Sequence, residues 1–199
     1  MDHDYRKSLV LLAALAGAPA SAQNIAINFG FDTNLDGWNT SDNTPAEVSA
    51  QWNSLDANGA SNSGSAQVDN ISTGPNNGVT LHQCLPATAG QTYSFGGKIR
   101  VPAPGLGAND AATIDAYWTS DANCLNNLSL DSTGFSPGLS DAWETQPPTQ
   151  VVAPAGTNAV KIRARVSKFD AGGTLTAFFD DVYLGPGTFP VTLQSFSVD

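Results

Sequence analysis

The sequence predicts an all-β protein, an antiparallel β-sandwich, and three observations lead to that prediction. Short runs rich in β-branched and aromatic residues recur between clusters of glycine, asparagine, serine and proline. No stretch of about a dozen residues keeps an apolar stripe with the 3.6-residue period of a helix. Charged residues make up only 13% of the 199-residue chain. Helix is therefore expected to be minor, and the strands are expected to pack as two layers.

The first 22 residues have the pattern of an export signal. Arg6 and Lys7 precede an apolar core at residues 9–17, and small residues up to Ala22 form a cleavage site. The apolar core is too short for a permanent membrane span. We therefore expect a secreted protein, extracellular or periplasmic, with no membrane partner. The mature chain is expected to comprise one domain at residues 23–187 and a tail at 188–199.

Nine runs have the composition of strands, and the turn formers between them mark the loops. The predicted strands are residues 25–31, 47–51, 65–70, 79–85, 92–101, 113–119, 149–152, 159–167 and 176–184. Strict alternation at 160–166 predicts that its aliphatic side chains face the core while Lys161, Arg163 and Arg165 face solvent. Residues 120–140 are predicted to form one long loop.

Charge limits the class of partner. The chain has 18 acidic and 8 basic residues, and two of each lie in the signal, so the mature chain keeps 16 acids and 6 bases. Such an acidic surface repels phosphate backbones, and nucleic acid is therefore not an expected partner.

Two cysteines, Cys84 and Cys124, lie in the exported part of the chain. An oxidising compartment favours a disulfide between them, which would stabilise the fold by roughly 3 to 4 kcal/mol. Two buried thiols are the alternative that spacing leaves open.

Carboxylates stand beside large apolar residues at both ends of the predicted domain. Asp32 follows Phe31 near the start, and Asp180 follows Phe179 near the end. An unpaired charge in such surroundings costs several kcal/mol. A hard cation shared by the two carboxylates would compensate them, and hydrogen bonds from backbone N–H groups are the alternative.

Several short features follow one another in order along the mature chain. They are Asn28-Phe29-Gly30-Phe31-Asp32, Asp36-Gly37-Trp38, Ser63-Gly64-Ser65-Ala66, Gln83, Ala89-Gly90-Gln91-Thr92-Tyr93, Trp143, Ala153-Pro154-Ala155-Gly156 and Phe179-Asp180-Asp181-Val182. In this order they resemble the jelly-roll carbohydrate-binding modules of the cellulase and xylanase type, within the galactose-binding-like superfamily. The resemblance covers nearly the whole mature domain and implies a jelly-roll sandwich that binds polysaccharide without catalysis.

The resemblance also implies a structural calcium ion that ties the first strand to the last. It assigns the ion to Asp32 and Asp180, with help from the carbonyl of Gly30. This chain departs from the family in two ways, because Asp32 replaces the usual glutamate and a further acidic ligand is missing near Ser63. Weaker calcium binding is expected as a result.

Sugar recognition needs aromatic faces next to amides or carboxylates. Trp52 precedes a polar loop, and Trp118 ends a strand beside Tyr117. The candidate carbohydrate-binding residues are therefore Trp52, Asp115, Tyr117 and Trp118. Core packing is the alternative for Trp118, because it shares a strand face with Ile114.

Catalysis is not expected. His82 is the single histidine of the mature chain and lies in a strand without an evident base, and no zinc or phosphate-binding motif occurs. The adjacent acids Asp180 and Asp181 are predicted to point to opposite faces of a strand. The sequence thus favours a secreted carbohydrate-binding module. A structural or adhesive extracellular protein that self-associates through the C-terminal tail is the alternative, and a glycosidase comes third.

Overall fold

A computed structural model describes residues 23–75, 77–103, 107, 109–134, 141–169 and 172–187. The predicted signal peptide and the predicted tail at 188–199 therefore lie outside the described residues. The described strands are β1 (Val48–Asn53), β2 (Ser65–Asn70), β3 (Asn77–Pro86), β4 (Thr92–Arg100), β5 (Ala111–Thr119), β6 (Asn127–Ser132), β7 (Trp143–Val152), β8 (Ala159–Lys168) and β9 (Leu175–Pro186).

Two antiparallel sheets make up the fold. One has five strands in the order β1-β2-β9-β4-β7, and the other has four in the order β3-β8-β5-β6. Apolar side chains from both sheets meet between them, and Phe95, Ile114, Ile162 and Phe179 are fully buried there. This arrangement confirms the predicted all-β antiparallel sandwich.

The prediction of a strand at residues 25–31 is wrong, although the segment does lie beside the last strand, β9. Asn28 and Phe31 have left-handed φ angles of 48° and 46°, and the backbone between them forms turns and no strand. The segment nevertheless runs beside β9. Ile25 donates its N–H to the Leu184 carbonyl at 2.7 Å, and the Phe29 carbonyl accepts from Val182 at 3.0 Å.

The predicted loop at 120–140 contains a strand, β6, which pairs with β5 at the edge of the four-stranded sheet. The turn before β6 carries Cys124, which forms a disulfide with Cys84 of β3. The predicted disulfide is therefore present, and it fastens this turn to the other edge strand of the same sheet.

The prediction that the cations of β8 face solvent is only partly right, because 12% of the Arg163 side chain and 31% of the Arg165 side chain are exposed. β8 lies inside the sheet between β3 and β5, and Lys161 is only 8% exposed. Arg163 forms an ion pair with Asp115 of β5. Acids supplied by other parts of the chain cover these cations, which the alternation of a single strand cannot indicate.

In the part of the chain that the structure describes, no helix has the length and apolarity that a membrane crossing requires.

Candidate functional site

The four-stranded sheet has a polar side that faces away from the core, which we call the outer face. Its side chains are fixed by the strand register, because directly opposed residues of antiparallel strands share a face. Three cross-strand rows define it: Thr80, Arg165 and Thr113; His82, Arg163, Asp115 and Ser132; and Cys84, Lys161, Tyr117 and Leu130. The aliphatic residues between them, such as Ile114 and Ile162, point into the core.

Asp115 anchors the outer face from beneath. Its side chain is fully buried, one carboxylate oxygen accepts from Arg163 at 2.7 Å, and the other accepts from the Thr113 hydroxyl at 2.8 Å. Asp115 thus lies on the predicted face, but its carboxylate is buried and is not accessible to a ligand. It holds Arg163 in place instead.

Tyr117 is the half-buried aromatic residue of the outer face. The guanidinium of Arg163 lies 3.8 Å from the centroid of its ring, a cation–π contact. On the neighbouring strand Leu130 lies directly opposite Tyr117, and 41% of Leu130 is exposed. Together they make an aromatic and aliphatic pair beside the open edge of the sheet.

Trp118 does not belong to this surface. It is fully buried, its ring centroid lies 5.3 Å from that of Tyr93, and its indole N–H donates to Asp131 at 2.8 Å. The expectation that Trp118 contacts sugar is therefore corrected. The alternative assignment to the core, which rested on its sharing a face with Ile114, is right.

Trp52 lies on β1, in the other sheet. Its indole N–H donates to the Phe31 carbonyl at 2.7 Å, and 37% of the residue is exposed. A Cβ at Gly64 would come within 2.7 Å of the ring, so this glycine allows the indole to pack over the backbone. The four predicted sugar-binding residues therefore do not form one site, and only Asp115 and Tyr117 are neighbours.

A cavity of about 550 Å³ opens at one end of the sandwich, beside the N-terminal segment. Most of its lining residues are polar, and the lining comprises Asn28, Phe29, Gly30, Asp32, Asp56, Asn58, Ala60, Asn62, Ser63 and Asp181. Two of the three residues predicted to bind metal, Gly30 and Asp32, belong to this lining.

Ser63 joins those two predicted ligands. Its hydroxyl oxygen lies 3.1 Å from the Gly30 carbonyl and 3.3 Å from a carboxylate oxygen of Asp32. A hydroxyl has one hydrogen to donate, so it can satisfy only one of the two oxygens at a time. The other oxygen remains available to a cation.

Asp180, the third predicted ligand, is fully buried in β9. One carboxylate oxygen accepts from the Ala57 N–H at 2.8 Å and the other from the Asp181 N–H at 2.7 Å. Burial raises the pKa of Asp180 to about 7, the two N–H groups oppose that rise, and the charges of Asp181 and Asp56 add to it. The backbone hydrogen bonds therefore compensate the carboxylate only in part.

Asp56 was not predicted, yet it connects the two groups of ligands. The N–H groups of Ala60 and Asn58 donate to it at 2.7 and 2.8 Å, and with help from Ser63 they lower its pKa despite partial desolvation. The turn sequence Asp56-Ala57-Asn58-Gly59 was the available signal, since an aspartate there commonly caps its own turn.

The donor atoms of the lining are of the type that binds a hard cation, because they are carboxylate, carbonyl and hydroxyl oxygens. Asp181 forms an ion pair with Lys98 at 2.9 Å, whereas Asp32 and Asp56 form no ion pair among the described residues, and Lys98 acts on Asp56 only from a greater distance. No three acidic, histidine or cysteine side chains of the described chain converge as a metal-binding group. A calcium ion here would therefore need the Gly30 carbonyl, the Ser63 hydroxyl or water to complete its shell.

His82 is buried on the outer face, with Nε2 3.7 Å from a carboxylate oxygen of Asp42. Burial lowers its pKa to about 4, and the nearby Asp42 opposes that change only in part. The imidazole is therefore neutral near pH 7. Neither cysteine has a free thiol, because both form the disulfide.

Comparison with known proteins identifies solved structures that have a similar fold. No protein-family model matches the chain, and no curated protein matches it by sequence. The described sandwich is similar to part of the enzymatically active domain of tailspike protein 4 from bacteriophage CBA120, with a TM-score of 0.58 and 17% identity over 82% of this chain. It is also similar to part of the arabinose-bound MgGH51 α-L-arabinofuranosidase, with a TM-score of 0.58 and 17% identity over 85% of this chain.

A third similar structure is the CBM22-1 xylan-binding domain of Xyn10C from Paenibacillus barcinonensis. Its TM-score is 0.52 at 14% identity, and the match covers 79% of this chain and 91% of that domain. By contrast, the chain spans only 21% of the tailspike domain and 27% of the arabinofuranosidase. At these identities the likeness concerns the fold, and it confirms the sandwich that the resemblance to carbohydrate-binding modules implied.

Proposed function

We propose that this protein is a secreted, non-catalytic carbohydrate-binding domain that receives polysaccharide on its outer face. The observation that carries the proposal is the pairing of Tyr117 with the exposed Leu130 across β5 and β6. Their apolar surface is surrounded by polar side chains, and sugar rings require that combination, because they present C–H groups on a face and hydroxyls around the edge. The xylan-binding domain with a similar fold supports the same class of ligand.

Two side chains with strongly shifted pKa values, Asp180 and His82, are poorly placed for catalysis. Asp180 has a raised pKa, as a general acid would, but it is fully buried with both oxygens on backbone N–H groups. His82 is buried and neutral. Neither group can approach a glycosidic bond, and Asp181 of the end cavity is paired with Lys98, which favours binding without chemistry.

A structural calcium ion at the end cavity completes the proposal. Gly30, Asp32, Ser63 and Asp56 would hold it, and the ion would offset the charge that Asp180 keeps in a buried position. By joining the loop between β1 and β2 to the N-terminal segment, it would stabilise the end of the sandwich where that segment meets β9.

The test is retention on a panel of insoluble polysaccharides, with three variants compared. Tyr117→Ala and Leu130→Ala are expected to lose retention on any glycan that holds the native protein. Val152→Ala is the matched control, because Val152 is 61% exposed but lies on β7 of the other sheet. Absence of retention on every glycan contradicts the proposal. Equal retention by all three variants contradicts the assigned face.

A second candidate function is assembly with other chains. β6 is an edge strand without proline, and it exposes Leu128 and Leu130. An open edge of this kind can accept a strand from another molecule, and the tail at 188–199 is the candidate donor. Size-exclusion chromatography of the mature chain with and without the tail distinguishes the two functions. Only assembly predicts a change in elution beyond the small difference in mass.

A further inference from the structure

The basic residues of the mature chain are concentrated on the outer face. There are only six of them, and Lys161, Arg163 and Arg165 lie in register along the exterior side of β8. The other three lie elsewhere. Lys98 forms an ion pair with Asp181, Arg100 forms one with Asp141, and Lys168 donates hydrogen bonds to the carbonyls of Ser72 and Gly173. Half of the positive charge of an acidic protein therefore lies on the face proposed to bind glycan.

The acidic side chains paired with this face, Asp42 and Asp115, are fewer than its three basic side chains. Lys161 pairs with Asp42, and Arg163 pairs with Asp115. Arg165 forms a longer ion pair with the same Asp115 oxygen, at 3.6 Å, which is too far for a hydrogen bond. Among the described residues Arg165 has no hydrogen-bond partner, and 31% of its side chain is exposed.

Neighbouring polar atoms also lack partners. The buried atoms Thr80 Oγ1, His82 Nδ1 and Arg163 Nε make no hydrogen bond with the described residues. Thr80 lies directly opposite Arg165, and His82 lies directly opposite Arg163. Buried polar groups are rarely left unpaired in folded proteins, and ordered water commonly satisfies them, so the side chains around Arg165 leave part of the hydrogen bonding of this face to solvent.

We infer that the glycan bound on this face is acidic, and that Arg165 binds its anionic group. The inference rests on the proposed function and specifies its substrate class. A guanidinium offers two parallel N–H donors that match a carboxylate or sulfate group, while the Tyr117 and Leu130 pair supports the apolar side of the sugar ring. General attraction does not explain such binding, because the chain carries a net charge of −10.

Isothermal titration calorimetry of the mature protein tests the inference with three short probes: trigalacturonate, a sulfated oligosaccharide and neutral xylotriose, all in the same calcium-containing buffer. We expect an acidic probe to bind more tightly than xylotriose. Arg165→Gln should lower its affinity roughly tenfold or more, as for the loss of one charge-assisted hydrogen bond. Arg100→Gln, which removes a cation from the other sheet, should leave the affinity unchanged.

Each outcome decides a separate point. Tighter binding of trigalacturonate assigns the site to a carboxylate, and tighter binding of the sulfated probe assigns it to a sulfate. Equal binding of all three probes, with Arg165→Gln unaffected, overturns the inference and leaves glycan binding intact. Tight binding of xylotriose alone also overturns the inference and leaves glycan binding intact. If no probe binds and the polysaccharide panel is also negative, the proposed function fails as well. Unchanged thermal unfolding of Arg165→Gln ensures that a lost affinity reflects the contact and not the fold.

Discussion

The Arg163 guanidinium lies 3.8 Å from the centre of the Tyr117 ring, and the same group donates at 2.7 Å to the fully buried carboxylate of Asp115. The position of the proposed sugar platform thus depends on a largely buried ion pair. Binding and stability are coupled through this one arginine.

Asp115→Ala should lower the free energy of unfolding by about 3 to 5 kcal/mol, because it leaves the largely buried Arg163 without its partner. Urea denaturation measures the loss. Asp141→Ala is the control, since the Asp141 side chain is 57% exposed in its pair with Arg100 and should cost less than about 1 kcal/mol. Similar small losses for both variants contradict a structural role for the Arg163 and Asp115 pair.

Calcium-free protein should become less stable as pH rises from about 4 to about 7, with no further loss from Asp180 above that range. The pKa of Asp180 is raised from 3.8 to about 7 in the folded state, so its contribution to stability is fully present below 3.8 and is lost as pH rises through about 7. Thermal unfolding across this range measures the effect. Asp180→Asn should remove this part of the pH dependence, and a slope that the variant leaves unchanged contradicts the assignment.

Added calcium should restore the lost stability, and it should do so more strongly at about pH 8 than at about pH 5, because protons and the cation compete for the same carboxylates. Asp32→Asn should abolish the calcium-induced rise in Tm. Asp36→Asn should retain it, since Asp36 contacts Asn34 and does not line the cavity. No rise in Tm with calcium at either pH argues against the cation.

His82 should titrate far below a free histidine. Burial lowers its pKa from 6.5 to about 4, so its contribution to stability is present above 6.5 and is lost as pH falls through about 4. Residues 23–199 contain no other histidine, so NMR of the imidazole in protein prepared without residues 1–22 reports on His82 alone. A midpoint near 6.5 would show that the ring is solvated and that the outer face is more open than described.

Removal of the disulfide should destabilise the domain by roughly 3 to 4 kcal/mol, as expected for a bridge that closes a 40-residue separation. The double variant Cys84→Ser with Cys124→Ser, compared with native protein in urea, measures this effect. Reducing agent should change the native protein and leave the variant unaffected. Because the bridge fastens the turn before β6, weaker glycan retention by the variant is also expected.

Local patterns predicted most of the sheet correctly. β2 has the predicted bounds, and β8 extends one residue further than expected. β6 was missed because its sequence, Asn127–Ser132, is mostly polar, and its pairing with β5 defines it as a strand. The segment at 25–31 has strand-like composition, but its left-handed residues can be recognised only from the backbone.

The site was harder to predict than the fold. Placing Tyr117 and Asp115 on one face follows from alternation, and the structure keeps them together. The burial of Asp115 depends on cations from β8, and the position of Asp56 near Asp180 depends on how the loop after β1 folds back. The composition of either segment alone does not predict such contacts between distant parts of the chain.

The most direct test of the central claim is NMR mapping of a bound oligosaccharide chosen from the glycan that retains the protein. Amide shifts should concentrate at Tyr117 and Trp118 on β5 and at Leu130 on β6, and they should be small on β1 and β7 of the other sheet. Shifts confined to the end cavity around Phe29 and Asn62, with the outer face unchanged, would contradict the account.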